Sequence, residues 1–341
     1  MKKFFIIGNG FDLQHNIKSR YQDFHAYFRS LYVTQRIEEF ARFPVVPWRY
    51  SVPISHGMGG YYRSDIQNVL GFLDYTLSKS EAGNQSFSFY LNSDWWNIEH
   101  SLGNLDLREE FDEEDEKYLY QEEPLMDKIF SVGQCFSFMN VIFSKWVSTI
   151  DISFVEPIDS FSKLIDNAND WFMTFNYTRT LEDVYHAKNV FHIHGIQGER
   201  VEFGHKKMYD DEILEYCIKN KIPTDCKAGV EYMFDITEKD TMRLLKQNQA
   251  YFTSLDKDIT EIYSYGFSFS LVDMPYIFEL CHSLDTSDVT WYLSDFDSNE
   301  KIEKYKNYII KCGFKGKFNT FHIDNNSSKF DLINKIKNMF K

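Results

Sequence analysis

The chain has 341 residues, enough for one large domain or two small ones with a well-packed core. Hydrophobic residues make up 43% and charged residues 26%, which excludes a chain that is disordered, collagenous or coiled-coil throughout. The net charge of −14 disfavours a protein that binds nucleic acid or a membrane surface through positive charge. Aromatic residues reach 18%, which fits either a bulky core or a pocket for a planar ligand.

The apolar segments and the cysteines indicate the compartment. The N-terminal apolar run, residues 4–7, stops at Gly8 and is too short for a secretory signal. No run approaches the 18 apolar residues of a transmembrane helix. The five cysteines are odd in number and include no C-x-x-C pair, so we expect neither a disulfide framework nor a zinc site. These features predict a cytoplasmic protein without a membrane segment.

The first third of the chain begins with one strand and then becomes helical. A strand is predicted at Lys3 to Gly8, followed by a helix at Ser19 to Tyr32, where aromatic and apolar residues recur at helical spacing. Long helical patterns follow at residues 66–77 and 124–149, with no strong strand signal between them. We therefore predict a mostly helical lobe at residues 34–164, inserted after the first strand and helix.

Strand and helix patterns alternate after residue 165. Strands are predicted at residues 171–175, 190–194, 259–266, 289–294 and 317–323, and helices at 180–186, 275–284, 300–312 and 329–340. Such alternation builds a mostly parallel sheet with helices on both faces. The predicted fold is therefore α/β and Rossmann-like, with a nucleotide-binding core formed by residues 1–33 and 165–341. A helical excursion at residues 205–250 interrupts this core.

The first predicted strand ends in residues that suit a ligand, because open parallel sheets bind ligands beyond the carboxyl ends of their strands. Gly8 and Gly10 allow close backbone approach, although a bare strand-to-helix turn would also use them. Asp12 suits a hydrogen bond to a ribose hydroxyl, and His15 lies about one helical turn further on.

Three later strand ends are also polar. Asn176 offers a donor and an acceptor, or else caps the next helix. His192 and His194 share one face of a strand, a spacing open to a metal site as well as to a structural role. Gly266 and Ser268 suit a contact with phosphate or ribose.

These motifs resemble the abortive-infection AbiH family of bacterial phage-defence proteins. The resemblance rests on separate islands between residues 6 and 276: residues 6–12 with His15 and Tyr21, Trp96 and Glu99, residues 175–178, residues 192–195, Gly204 and His205, and residues 265–268 with Asp273, Pro275 and Tyr276. The order of the glycine, asparagine, histidine and serine motifs is more distantly similar to that of sirtuin-like NAD-binding and NAD-hydrolysing domains.

The resemblance implies an NAD(+) glycohydrolase that cleaves the nicotinamide–ribose bond. Its implied catalytic residues are Asn176, which orients water or the carboxamide, and His194, which accepts a proton. The implied nucleotide contacts are Gly8, Asn9, Gly10, Phe11, Asp12, His15, Thr174, Tyr177, Gly195, Gly266, Ser268 and Asp273. Trp96 and Glu99 suit a lid over the pocket, and surface or core positions suit them equally. NAD is the expected substrate, with no metal, zinc or further cofactor.

Two other readings stay open. The first is a sensor that binds NAD, ADP-ribose or a related nucleotide and acts through a partner protein or as a homo-oligomer. It would use the glycine loops and Asp12 without turnover. The second is a metal-dependent nuclease or hydrolase, whose ligands would be Asp12, His15, His192, His194 and Glu99.

Overall fold

The computed structural model describes residues 2–34, 52–53, 62–63, 66–79, 98–105, 107 and 125–324. The predicted helix at residues 329–340 and the predicted lid residue Trp96 lie outside these ranges. The chain divides into two compact units. Residues 1–19, 149–201 and 241–341 make up the first unit, and residues 20–148 and 202–240 make up the second.

The first unit contains a six-stranded parallel sheet. Its strands are β1 (Lys2–Ile7), β4 (Trp171–Thr174), β5 (Asn189–His192), β6 (Ile259–Tyr265), β7 (Thr290–Ser294) and β8 (Lys317–Phe321). They lie in the order β5-β4-β1-β6-β7-β8, and each pairs with its neighbour in parallel. Counted along the chain, this is the doubly wound order 3-2-1-4-5-6 of the Rossmann fold. The predicted α/β, Rossmann-like architecture is confirmed.

Both faces of the sheet are covered because β1 is apolar on both of its sides. Phe4 and Ile6 belong to one buried cluster, and Phe5 and Ile7 belong to another. The first cluster includes residues from the helices Thr241–Gln247, Gln249–Thr253, Met274–Ser283 and Asn299–Lys311. The second includes residues from Asn9–Gln14, Asp159–Leu164 and Thr180–Asp183. Continuous apolar strands of this kind are typical of parallel sheets buried on both faces.

The connections of the sheet define its switch point. From β1 the chain proceeds to β4 and β5 on one side, then returns to β6 on the other side of β1 and continues to β7 and β8. The strand order therefore reverses at β1. In doubly wound sheets ligands bind in the crevice beyond the carboxyl ends of the strands at this point. The loops that follow β1, β4, β5 and β6 are consequently the ones to inspect for a site.

The second unit is mainly helical in its described part. Its helices are Tyr21–Thr34, Ile66–Lys79, Ile98–Leu102, Leu125–Ser148, Asp210–Lys219 and Lys227–Thr237, with a short antiparallel pair formed by β2 (Val52–Pro53) and β3 (Tyr62–Arg63). Gly133 lets two of these helices approach closely, because a Cβ atom there would lie 3.2 Å from the Cα atom of Met233. No helix within the described ranges combines the length and the apolar character needed to cross a bilayer.

Candidate functional site

Two glycine-bearing loops meet at the switch point. The Gly8 N–H donates to the Tyr265 carbonyl oxygen at 3.0 Å, and the Gly10 N–H donates to the Gly266 carbonyl oxygen at 2.9 Å. A Cβ atom at Gly8 would lie 2.5 Å from the Gly266 oxygen, and one at Gly10 would lie 2.6 Å from the Gly266 Cα atom. The close backbone approach that the sequence led us to expect toward a ligand is thus made between the two loops themselves.

The side chains at this edge differ in exposure. Asn9 and Ser268 are exposed. Asn9 is oriented by Ser19, whose hydroxyl donates to the Asn9 Oδ1 atom at 2.5 Å and whose carbonyl accepts from its Nδ2 atom at 3.0 Å. Phe11 is fully buried and packs edge-on against Phe161, with 5.3 Å between ring centroids. The Phe11 ring is therefore part of the core.

Asp12 is a buried acid, only 1% exposed. The Thr178 hydroxyl donates to one carboxyl oxygen at 2.8 Å, and the Thr180 hydroxyl lies 3.4 Å from the other. Burial raises the pKa of Asp12 to about 6, while the two hydroxyls, the Asn176 amide and the charge of His192 act in the opposite direction. Asp12 thus ties the loop after β1 to the loop after β4.

The Asp12 carboxyl gives stability a defined pH dependence. Its pKa in the folded state, about 6, exceeds the ordinary value of 3.8, so the folded chain holds this proton more tightly than the unfolded chain. The resulting stabilisation is complete below the unfolded pKa and is lost as the pH rises through the folded pKa. Urea titrations give the unfolding free energies of the wild type and of Asp12→Asn at each pH. We expect the difference, wild type minus variant, to fall by about 2 kcal/mol as the pH rises from about 4 to about 7. A difference that stays constant or rises would contradict the buried proton.

His15 belongs to a closed hydrogen-bond network. Its Nδ1 atom lies 2.7 Å from the Phe11 carbonyl oxygen, and its Nε2 atom lies 2.5 Å from the Tyr185 hydroxyl. Because the Phe11 carbonyl can only accept, Nδ1 carries the proton of the neutral ring, and the Tyr185 hydroxyl donates to Nε2 while it accepts from the Ile158 N–H at 2.8 Å. Burial lowers the pKa of His15, in agreement with a neutral ring. Both nitrogen atoms of this predicted nucleotide contact are therefore occupied by protein.

Asn176 carries a buried amide in an unusual setting. Its backbone N–H donates to the Thr174 hydroxyl at 3.1 Å, and the residue is 6% exposed. Its amide lies close enough to Asp12 to lower the pKa of that carboxyl, but neither of its polar atoms makes a hydrogen bond of normal geometry to a residue that the structure describes. Leaving buried polar atoms unsatisfied costs about 1–3 kcal/mol per group, so native proteins tend to keep such groups where a ligand or water uses them. The next residue, Tyr177, accepts a backbone hydrogen bond from Gln197 at 2.7 Å.

His192 holds the Asn176 turn from the neighbouring strand. Its Nδ1 atom lies 3.0 Å from the Asn176 carbonyl oxygen, and its Nε2 atom lies 3.0 Å from the Glu182 carboxylate. Both partners are hydrogen-bond acceptors, and they hold the ring from its two sides. Burial acts to raise the pKa of Glu182, but the hydrogen bond and charge of His192 lower it overall. Glu182 is therefore ionised and fixes the His192 ring.

His194 is 3% exposed and lies among aromatic rings. Its ring packs edge-on against Phe175 at 5.3 Å and at a steep angle to Tyr276 at 5.4 Å. Its Nε2 atom lies 3.5 Å from an Asp273 carboxyl oxygen. Gly195 follows with a φ of +87°, and a Cβ atom there would lie 2.3 Å from a backbone carbonyl oxygen, so this turn requires glycine.

The strand register places the two predicted catalytic residues at one sheet edge. Thr174 of β4 pairs with His192 of β5. Asn176 and His194 each come two residues later, so both follow neighbouring parallel strands at the same end of the sheet. Asp12 joins the same set of loops through Thr178.

Several side chains that hold the site were not assigned roles from the sequence. They are Thr178 and Thr180 on Asp12, Tyr185 on His15, Glu182 on His192 and Tyr276 on His194. Thr178 and Thr180 carried no signal, because their partner, Asp12, is 166 and 168 residues away in the sequence. Tyr185 and Glu182 carried none, because their partners are distant in sequence or on another strand.

Glu99, a predicted lid residue, forms an ion pair within the second unit. It lies on the helix Ile98–Leu102, and its carboxylate lies 2.6 Å from the Lys239 ammonium group. Lys239 is 2% exposed, and its backbone N–H donates to the His205 carbonyl oxygen at 2.8 Å. Breaking a buried ion pair leaves an uncompensated charge, so such a pair fixes the segments that carry it.

The metal-dependent reading gains no ligand set from the described residues, where no three His, Cys, Asp or Glu side chains converge as a metal site. His15 and His192 both use their two ring nitrogens within the protein. The five cysteines are buried free thiols.

Fold and site together define an α/β protein with a doubly wound sheet and a polar site at its switch point, a class of architecture that places ligands there. The chain matches the family model described as "Bacteriophage abortive infection AbiH" over residues 4–295, and it belongs to the AbiH family. This membership implies a role in defence against bacteriophage by abortive infection. No curated protein and no solved structure matches the chain.

Proposed function

We propose that this AbiH protein is an NAD(+) glycohydrolase that cleaves the bond between nicotinamide and ribose. The observation that carries the proposal is the placement of Asn176 and His194 on neighbouring strand ends at the switch point, where the buried Asn176 amide makes no hydrogen bond of normal geometry to a described residue. Family membership supports the biological role in defence. The chemistry rests on the site, because a fold alone does not define a reaction.

In the proposed reaction the protein positions NAD and water and accepts one proton. As the bond breaks, its electron pair leaves with nicotinamide, and positive charge develops on the ribose ring. Water adds to the ribose carbon and loses a proton, which gives ADP-ribose. Asn176 orients the water or the carboxamide of nicotinamide, and His194 accepts the proton. The aromatic rings of Phe175 and Tyr276 exclude bulk water from the His194 side of the site.

In this proposal the other loops at the switch point mainly shape the surface on which the nucleotide binds. The glycines close the β1 and β6 loops against one another, and Asp12 fixes the Thr178 turn. The exposed Asn9 and Ser268, at the tips of these loops, are the side chains offered to the phosphates and the ribose. Backbone and hydroxyl donors are suited to phosphate oxygens.

Incubation of the purified protein with NAD, with products resolved by chromatography, tests the proposal. We expect nicotinamide and ADP-ribose in equal amounts, accumulating beyond one equivalent of protein. Equilibrium dialysis with labelled NAD is run in parallel. Stoichiometric binding without products would instead assign the chain as a nucleotide sensor that acts through a partner.

A further inference from the structure

Asp273 occupies a helix start but does not use its side chain to cap that helix. It is the residue before the helix Met274–Ser283, where an aspartate ordinarily accepts a hydrogen bond from a free N–H of the first turn. Its carboxylate makes no such bond. The turn has a backbone hydrogen bond, in which the Asp273 N–H donates to the Ser270 carbonyl oxygen at 2.9 Å.

The carboxylate is directed to the His194 ring. One Asp273 oxygen lies 3.5 Å from the His194 Nε2 atom, and the two side chains are 11% and 3% exposed. The rings of Phe175 and Tyr276 enclose the same imidazole. The titratable groups that face His194 in these contacts are the Asp273 carboxyl and the Tyr276 hydroxyl. In such a setting, a carboxylate stabilises the charged form of an imidazole more strongly than it would in water.

We propose that Asp273 is a positioning residue for His194. Its carboxylate lies beside the His194 Nε2 atom at an ion-pair distance and holds the ring by its charge. It then stabilises the imidazolium that forms when His194 takes the proton from water. This inference rests on the proposed function for its catalytic consequence, but the pairing of the two side chains stands on geometry alone. Asp273, expected from the resemblance to contact the nucleotide, acts on the reaction through His194.

The test uses the full chain with Asp273→Asn, which keeps the size and capping capacity of the side chain and removes its charge. The His194 ring signal is followed by NMR as a function of pH and is assigned by its loss in His194→Ala. We expect the titration midpoint of this signal to fall by about one unit in Asp273→Asn, because the imidazolium loses its counter-charge. Asp273→Ser, which also suits a helix start, is the second variant. Asp288→Asn removes an exposed carboxylate from the same unit and should leave the midpoint in place.

Kinetics provide the second readout. In Asp273→Asn we expect kcat for NAD to fall about ten- to hundredfold, with KM changed less than about twofold, because a positioning residue acts on the proton transfer. An unchanged titration midpoint in both Asp273 variants would overturn the pairing. A lowered midpoint with unchanged kcat would overturn the positioning role. Absence of NAD turnover by the wild type would count against the proposed function, and the midpoint would still decide the pairing.

Discussion

Replacement of Gly266 by alanine is expected to reduce the unfolding free energy by about 2 to 6 kcal/mol. Gly266 has a φ of +65°, and a Cβ atom there would lie 2.2 Å from the Phe11 backbone nitrogen and 2.5 Å from the Gly10 carbonyl carbon. Backbone strain and overpacking each contribute about 1–3 kcal/mol, and neither contact can be relieved by turning a side chain. The loss is measured by urea unfolding of the purified variant.

Gly198→Ala is the matched control for this substitution. Gly198 also has a positive φ, +87°, but no atom lies within 4 Å of the position of an added Cβ. Only the conformational penalty remains, and we expect a loss of about 1 kcal/mol. Equal losses in the two variants would contradict the conclusion that the loops after β1 and β6 are closed against each other.

Replacement of His194 or Asn176 by alanine is expected to lower kcat for NAD at least about 100-fold. General acid–base catalysis contributes about 10²- to 10⁴-fold to rates, and the proposed reaction relies on His194 for that contribution. Asn176→Ala removes a buried amide whose polar atoms make no hydrogen bond of normal geometry to the described protein, so we expect the unfolding free energy to fall by no more than about 1 kcal/mol. Steady-state kinetics and urea unfolding on the same preparations separate the two effects.

Two exposed residues of the first unit provide controls for these variants. Asn307→Ala lies on the helix Asn299–Lys311, and His322→Ala lies just after β8. Both side chains are exposed and lie outside the loops that follow β1, β4, β5 and β6, so both variants should retain wild-type kcat. Unchanged NAD consumption in either His194→Ala or Asn176→Ala would refute the assignment of that residue.

The strands of the sheet could be predicted because the residues that mark each strand are close together in the sequence. Most of the strands are short runs rich in apolar and aromatic residues, and a glycine follows β1 and β6. The strand predicted at Lys3 to Gly8 therefore appears at Lys2–Ile7, and that at residues 259–266 appears at Ile259–Tyr265. The helices predicted at residues 66–77 and 124–149 appear at Ile66–Lys79 and Leu125–Ser148 for the same reason. Periodicity over a dozen residues needs no knowledge of distant partners.

The side-chain contacts that hold the site residues in place could not be predicted from the sequence. The partner that fixes Asp12, Thr178, is 166 residues away, and Tyr185 is 170 residues from His15. A buried acid and an exposed ribose-binding acid look alike in sequence, since exposure is decided by tertiary packing. Phe269 offers a similar case, with a φ of +52° that a phenylalanine rarely adopts and that nothing in its neighbourhood signals.

The grouping of residues 202–240 with the second unit also depended on tertiary contacts. Sequence patterns mark the helix Lys227–Thr237 as helical, but its packing on Leu125–Ser148 requires Gly133, almost 100 residues earlier, to admit the Met233 backbone. A glycine inside a helix usually counts against that helix in local terms. Here the close packing of the two helices accounts for the glycine at position 133.

The most direct test of the account is nicotinamide release from NAD by the wild-type protein and by His194→Ala, measured side by side at equal concentrations. We expect repeated turnover by the wild type, with equal yields of nicotinamide and ADP-ribose, and at least about 100-fold slower release by the variant. Equal rates of release by the two proteins, or NAD bound by the wild type and recovered intact, would contradict an NAD-cleaving site at this edge of the sheet.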